Sequence, residues 1–146
     1  MSGYRDLVES LLARDYAVAG YGDADPAARH LILRHDLDMS IEAALPIARI
    51  EAELGVAASY FVLLRGETYN PWTAAACAGL RQLLDLGHDI GLHLDASLYP
   101  GQAEALDRAA EEECRMLETI TGAAIETVSF HRPAEALLGR DGEVAG

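Results

Sequence analysis

The chain has 146 residues, 51% of them hydrophobic, a length that allows a single domain with a core of its own. Its formal net charge of −13 and pI of about 4.6 oppose binding to a nucleic-acid backbone or an anionic membrane surface, so neither partner is expected. All 11 basic residues are arginine, which excludes lysine Schiff-base chemistry and any mechanism that needs a phosphate-binding lysine.

In chain order, residues 4–16 carry Leu7, Val8, Leu11 and Leu12 at helical spacing, which predicts an opening helix. A turn-rich stretch follows at 20–26, rich in glycine and aspartate and ending in Pro26. Residues 31–34 form the first apolar run and are expected to be strand one. Ser40 suits an N-cap, and 41–54 reads as a helix stopped at Gly55, with Pro46 expected to kink it. Residues 58–64, with Tyr60, Phe61 and Val62, read as strand two, and 65–70 as a loop.

Pro71 suits the first turn of a helix over 71–86, ended by Gly87. Strand three is expected at 88–94, a long acidic helix at 102–120 closed by Gly122, and strand four at 125–130. Residues 134–146 are weakly helical and then glycine-rich. Strands alternating with crossover-length helices predict an α/β fold with a parallel sheet, either doubly wound or a barrel segment. Cys77 and Cys114 lie outside any zinc-site spacing and read as free thiols, and no segment resembles a signal peptide or membrane span, so the expected location is cytoplasmic.

In such folds the carboxyl ends of the strands share one rim, where chemistry is built. Asp36 and Asp38 are two apart, so on extended chain they share a face, and two close carboxylates call for a cation. His93 and Asp95 share a face at the end of strand three. His88 lies at that strand's amino end, on the opposite face, and reads as a packing residue. His35 alternates with Asp36 and should point away from it. His131 and Arg132 end strand four, and an arginine there can grip a carboxylate through two parallel hydrogen bonds.

These motifs resemble the polysaccharide deacetylases of the NodB-homology, or carbohydrate esterase 4, family. Arg34-His35-Asp36-Leu37-Asp38 is similar to a spaced form of that family's Asp-Asp motif. Gly87-His88-Asp89-Ile90-Gly91-Leu92-His93 resembles the approach to its His-Ser/Thr-x-x-His motif, and Arg132-Pro133 its Arg-x-Pro motif. The resemblance covers roughly residues 31–133 and implies a partial (β/α) barrel of the NodB type. On that footing residues 1–146 are one deacetylase-like domain, the N-terminal part of a full barrel, whose open sheet edges invite homo-oligomer formation.

It also implies a divalent metal, zinc by preference, bound by Asp38 and His93. Ser97 stands where the family has its second metal histidine, so Asp95 or His131 must supply the third ligand, and His131 is the preferred candidate. Asp36 would be the base toward water and Arg132 would orient it, with Tyr69 as a substrate contact and an N- or O-acetylated sugar as substrate. Two other readings stand beside this one. The first is a non-catalytic metal- or sugar-binding remnant of the same fold, consistent with Ser97 and with Ala134 and Glu135 after Pro133 in place of the family's tyrosine. The second is a haloacid-dehalogenase-type phosphatase using Asp36, Asp38 and magnesium, which the missing lysine and the absence of a late acidic pair oppose.

Overall fold

The computed structural model describes residues 2–99 and 103–138. Helix α1 (Ser2–Leu12) leads into a small parallel pair, β1 (Ala17–Val18) with β2 (His30–Leu31). Then come β3 (Arg34–Leu37), α2 (Leu45–Glu53), β4 (Ser59–Val62), α3 (Ala74–Asp85), β5 (Asp89–Asp95), α4 (Ala103–Thr121) and β6 (Val128–His131). Strands β3 to β6 form one parallel sheet in sequential order, a curled half-barrel with a helix after each of the first three strands. This is the partial (β/α) barrel expected of the chain.

Strand alternation sets what each face carries. Leu37, Tyr60, Val62, Ile90, Leu92 and Leu94 point outward into a core shared with Leu80 and Leu83 of α3 and Leu106 and Leu117 of α4. Truncating a fully buried leucine of this core, such as Leu92, would cost about 3 kcal/mol. A separate small cluster of Val8, Leu31 and Val56 docks α1 beside the β1–β2 pair. The opposite, inner face carries Arg34, Asp36, Phe61, Gly91, His93, Ser129 and His131, and is mostly polar.

Several element boundaries differ from the sequence expectation. The apolar run at 31–34 is not the first strand of the main sheet. Leu31 belongs to the β1–β2 pair, and the sheet strand is Arg34–Leu37. That strand is polar because its inner face lines the site, so hydrophobicity pointed three residues too early. The expected helix at 41–54 is a 3-10 turn (Glu42–Ala44) followed by α2, with Ser40 Oγ accepting from Ala43 N at its entry. Pro46 falls in the first turn of α2, where its missing N–H costs nothing, instead of kinking the helix. Helix α3 starts after Pro71, at a Thr73 cap that accepts from Ala76 N, and Gly87 ends it with a left-handed φ of +87°.

The expected starts at Gln102 and residues 139–146 lie outside the described residues. Among the described residues no helix is long and apolar enough to cross a membrane, and Cys77 and Cys114 are both free.

Candidate metal centre

Asp38 follows the last residue of β3, His93 sits near the end of β5 and His131 is the last residue of β6. Parallel register brings these carboxyl ends together. Asp95 pairs with His131 and His93 with Ser129 across the β5–β6 ladder. His93 Nε2 lies 3.4 Å from Asp38 Oδ1 and 3.2 Å from His131 Nδ1, and His131 Nδ1 is 3.7 Å from the same Asp38 oxygen. Ligand atoms about 2.0–2.2 Å from a tetrahedral zinc stand roughly 3.3–3.6 Å apart, so this triangle has the size of one face of a zinc tetrahedron.

The state of each group fits a cation. Asp38 Oδ1 is buried and has no hydrogen-bond partner, a costly condition for a carboxylate oxygen unless a cation faces it. His93 is 3% exposed, and its Nδ1–H donates to the Ser129 carbonyl at 3.3 Å, which leaves a lone pair on Nε2 aimed at Asp38 and His131. Burial holds the His93 pKa below the ordinary histidine value despite the nearby Asp36 and Asp38, favouring the neutral, ligating form. A proton on His131 Nδ1 would satisfy one edge of the triangle; a metal ion would satisfy all three.

Asp36 lies beside the triangle, with Oδ2 3.9 Å from His93 Nε2. The arginine that grips it is not Arg132. Arg34 donates from Nε to Asp36 Oδ1 at 2.8 Å and from a terminal nitrogen to Oδ2 at 2.9 Å. Arg132 is exposed, has a left-handed φ of +51°, and makes no hydrogen bond or ion pair among the described residues. Sequence reasoning missed Arg34 although the signal was present: it is two residues before Asp36 on one strand, the spacing that paired Asp36 with Asp38.

Asp95 does not join the cluster. It caps the 3-10 turn Ala96–Leu98, accepting from Ser97 N at 3.1 Å and Ser97 Oγ at 2.6 Å. Tyr69 is held by its hydroxyl, which accepts from Leu63 N at 3.1 Å, and burial with the nearby Asp38 charge pushes its pKa up to about 12. Thr68, its neighbour, donates to the Asp38 carbonyl and clasps the loop after β4 to the site. A cleft of about 530 Å³ opens on the inner face, lined by Tyr21, Arg34, Phe61, Ser129, Phe130 and Pro133 among others.

His88 and His35 serve the outer face. His88 accepts from Ala58 N at Nδ1 and donates from Nε2 to the Ala48 carbonyl at 2.9 Å, so both ring nitrogens are used. His35 donates to Oε1 of the fully buried Glu51 at 2.6 Å, as Tyr4 also does, and Tyr60 donates to Oε2 at 2.5 Å. Glu51 was not singled out in the sequence because a glutamate inside a helix looks like a solvated one.

No family model matches this chain, and no curated protein does either. Solved structures do. The fold is similar to IcaB from Ammonifex degensii, with a TM-score of 0.67 at 10% identity over 88% of this chain and 65% of that one. It is also similar to wild-type BA3943 from Bacillus anthracis, a CE4 family pseudoenzyme, with a TM-score of 0.52 at 14% identity over 68% of this chain and 34% of that one. A BA3943 mutant with restored enzymatic activity matches at 0.52 and 15% identity over 68% and 35%. This chain therefore shares the fold of carbohydrate esterase 4 structures and spans about two thirds of IcaB and one third of BA3943.

Proposed function

We propose that the chain is a metal-dependent hydrolase that removes acetyl groups from N- or O-acetylated sugars. The observation that carries this reading is the convergence of three ligand atoms from three strand ends, one of them a buried carboxylate oxygen without a partner, beside a second carboxylate. Asp38, His93 and His131 would hold the ion. When bound it would supply Lewis-acid chemistry, polarising an acyl carbonyl and making water more acidic. Zinc suits a set of two imidazoles and one carboxylate.

Asp36 is free of the ligand triangle and takes the proton from the attacking water. The water oxygen bonds to the acyl carbon, and the bond from that carbon to the sugar nitrogen or oxygen breaks as Asp36 passes the proton it took to that leaving atom. Acetic acid, which ionises to acetate, and a deacetylated sugar leave. The cleft that Arg34 and Ser129 line supplies space for a sugar ring, and Arg34 links it to Asp36, which with Asp38 lines a separate pocket of about 330 Å³. BA3943 is a CE4 family pseudoenzyme and a mutant of it has restored enzymatic activity, so turnover by this chain is a question for direct measurement.

The test is acetate release by the zinc-loaded protein from N-acetylglucosamine oligomers and from O-acetylated xylan. Turnover is expected with at least one of them, and Asp36→Asn should lower it about 100-fold or more with zinc still bound. A zinc-loaded protein that releases no acetate from either substrate overturns this reading in favour of a non-catalytic metal- and sugar-binding protein.

A further inference from the structure

The inner face carries a braced arginine that the family motifs did not point to. Arg34 holds both oxygens of Asp36 in a bidentate pair at 2.8 and 2.9 Å, the geometry that fixes a carboxylate in plane as well as in place. A terminal nitrogen of the same guanidinium donates to Ser129 Oγ, across the sheet on β6. Ser129 also offers its carbonyl to His93 Nδ1, so one residue braces both the metal-ligand candidate and the arginine that grips the base.

The guanidinium also has a platform. Its central carbon lies 5.1 Å from the centre of the Phe61 ring, within cation–π range. Phe61 can lie there because position 91 is glycine: a Cβ on Gly91 would come within 2.5 Å of the ring and 2.6 Å of Thr127 Oγ1. Tyr21 meets Phe61 edge-on at 6.0 Å. The Arg34 pKa is raised above its ordinary value, chiefly by its hydrogen bonds to Asp36.

We propose that Arg34 is the positioning residue that fixes the Asp36 carboxylate against the metal centre, the task first expected of Arg132. This rests on the reading of Asp36 as the base. Each Asp36 oxygen gives one lone pair to Arg34 and keeps another, and Oδ2 remains on the His93 side. A base fixed in this way loses little orientational freedom on the way to proton transfer.

Two measurements test it. In the zinc-loaded protein, Arg34→Gln should lower kcat roughly 10–100-fold with KM and zinc affinity within about threefold, and the loss should exceed that of Arg132→Gln about tenfold. Guanidinium at low millimolar concentration should restore about tenfold of the Arg34→Ala rate, which a purely structural loss would not allow. Arg34→Gln with unchanged kcat, or with zinc affinity and stability falling in step with kcat, overturns the proposal. The second measurement needs no turnover. In NMR spectra of the zinc-loaded protein, Asp36→Asn should move the Arg34 Nε–H signal and speed its exchange, leaving the Arg132 signal in place. A shift at Arg132 with none at Arg34 overturns the proposal. A zinc-loaded wild type without any acetate release sinks the deacetylase reading, while the NMR result still decides which arginine holds Asp36.

Discussion

The two faces of β3 each meet a cluster of carboxylates and histidines, and the clusters are in opposite states. On the outer face, Glu51 is fully buried, and His35, Tyr4 and Tyr60 all donate to it. Nothing there asks for a ligand. On the inner face, Asp38 Oδ1 is also buried but has no donor, and the neighbouring imidazoles turn ring nitrogens toward it. Residue types alone do not separate the two. What separates them is whether the acceptors of the carboxylate are already matched by protons. A closed network stabilises and rigidifies, whereas an open one of the right size has the geometry of the proposed cation site.

The contrast is broken most directly by removing one acid from each cluster. Asp38→Ala should weaken zinc binding about 100-fold or more, read by competition with a chromophoric chelator, and leave the metal-free protein nearly as stable as before. An unchanged zinc affinity would remove the distinction between the clusters. Glu51→Ala should do the reverse. It strands two tyrosine hydroxyls and a histidine N–H in the interior, so denaturant unfolding should show a loss of about 3 kcal/mol, with zinc affinity within about threefold.

A pH series sharpens the comparison. Burial raises the Glu51 pKa, but the donors His35, Tyr4 and Tyr60 outweigh it, and the net position is below the ordinary carboxylate value. A depressed folded pKa means that the folded state holds its proton less tightly than the unfolded chain. Glu51 therefore contributes stability above its unfolded pKa and loses it as pH falls through the lower, folded value. Denaturation midpoints of the metal-free wild type should fall on acidification below the usual carboxylate range, and Glu51→Gln should flatten that fall. An equal acid dependence in the variant would move the cause elsewhere. The smallest effect concerns Tyr69. With its hydroxyl engaged by Leu63 N, Tyr69→Phe should cost about 1 kcal/mol in chemical denaturation, and a variant as stable as the wild type would release that hydroxyl for another role.

Much of this was legible in the sequence. The helix stops at Gly55, Gly87 and Gly122 were marked by residue type, and all three adopt positive φ. Period-2 spacing put Asp36 and Asp38 on one side of the chain and His35 on the other, because alternation is a local property of extended backbone. The opposite fates of His88 and His93 followed from the same alternation. The first sheet strand was misplaced toward Leu31 because an apolar run is the usual strand signal, and β3 is polar where it lines the site.

By itself, then, the sequence determined the order of helices and parallel strands, the rim on which the acids and histidines gather, and which of them share a face. These depend on short-range spacing. Tertiary structure alone decided that His131 joins Asp38 and His93 while Asp95 turns aside to cap Ser97. It also decided that Arg34 instead of Arg132 grips Asp36, and that Glu51 closes its own network. The ligand triangle and the Glu51 network depend on distances between elements far apart in the chain, which register and packing set and no local pattern encodes. The Arg34–Asp36 and Asp95–Ser97 contacts span two residues each, and packing decided that these local partners are the ones used.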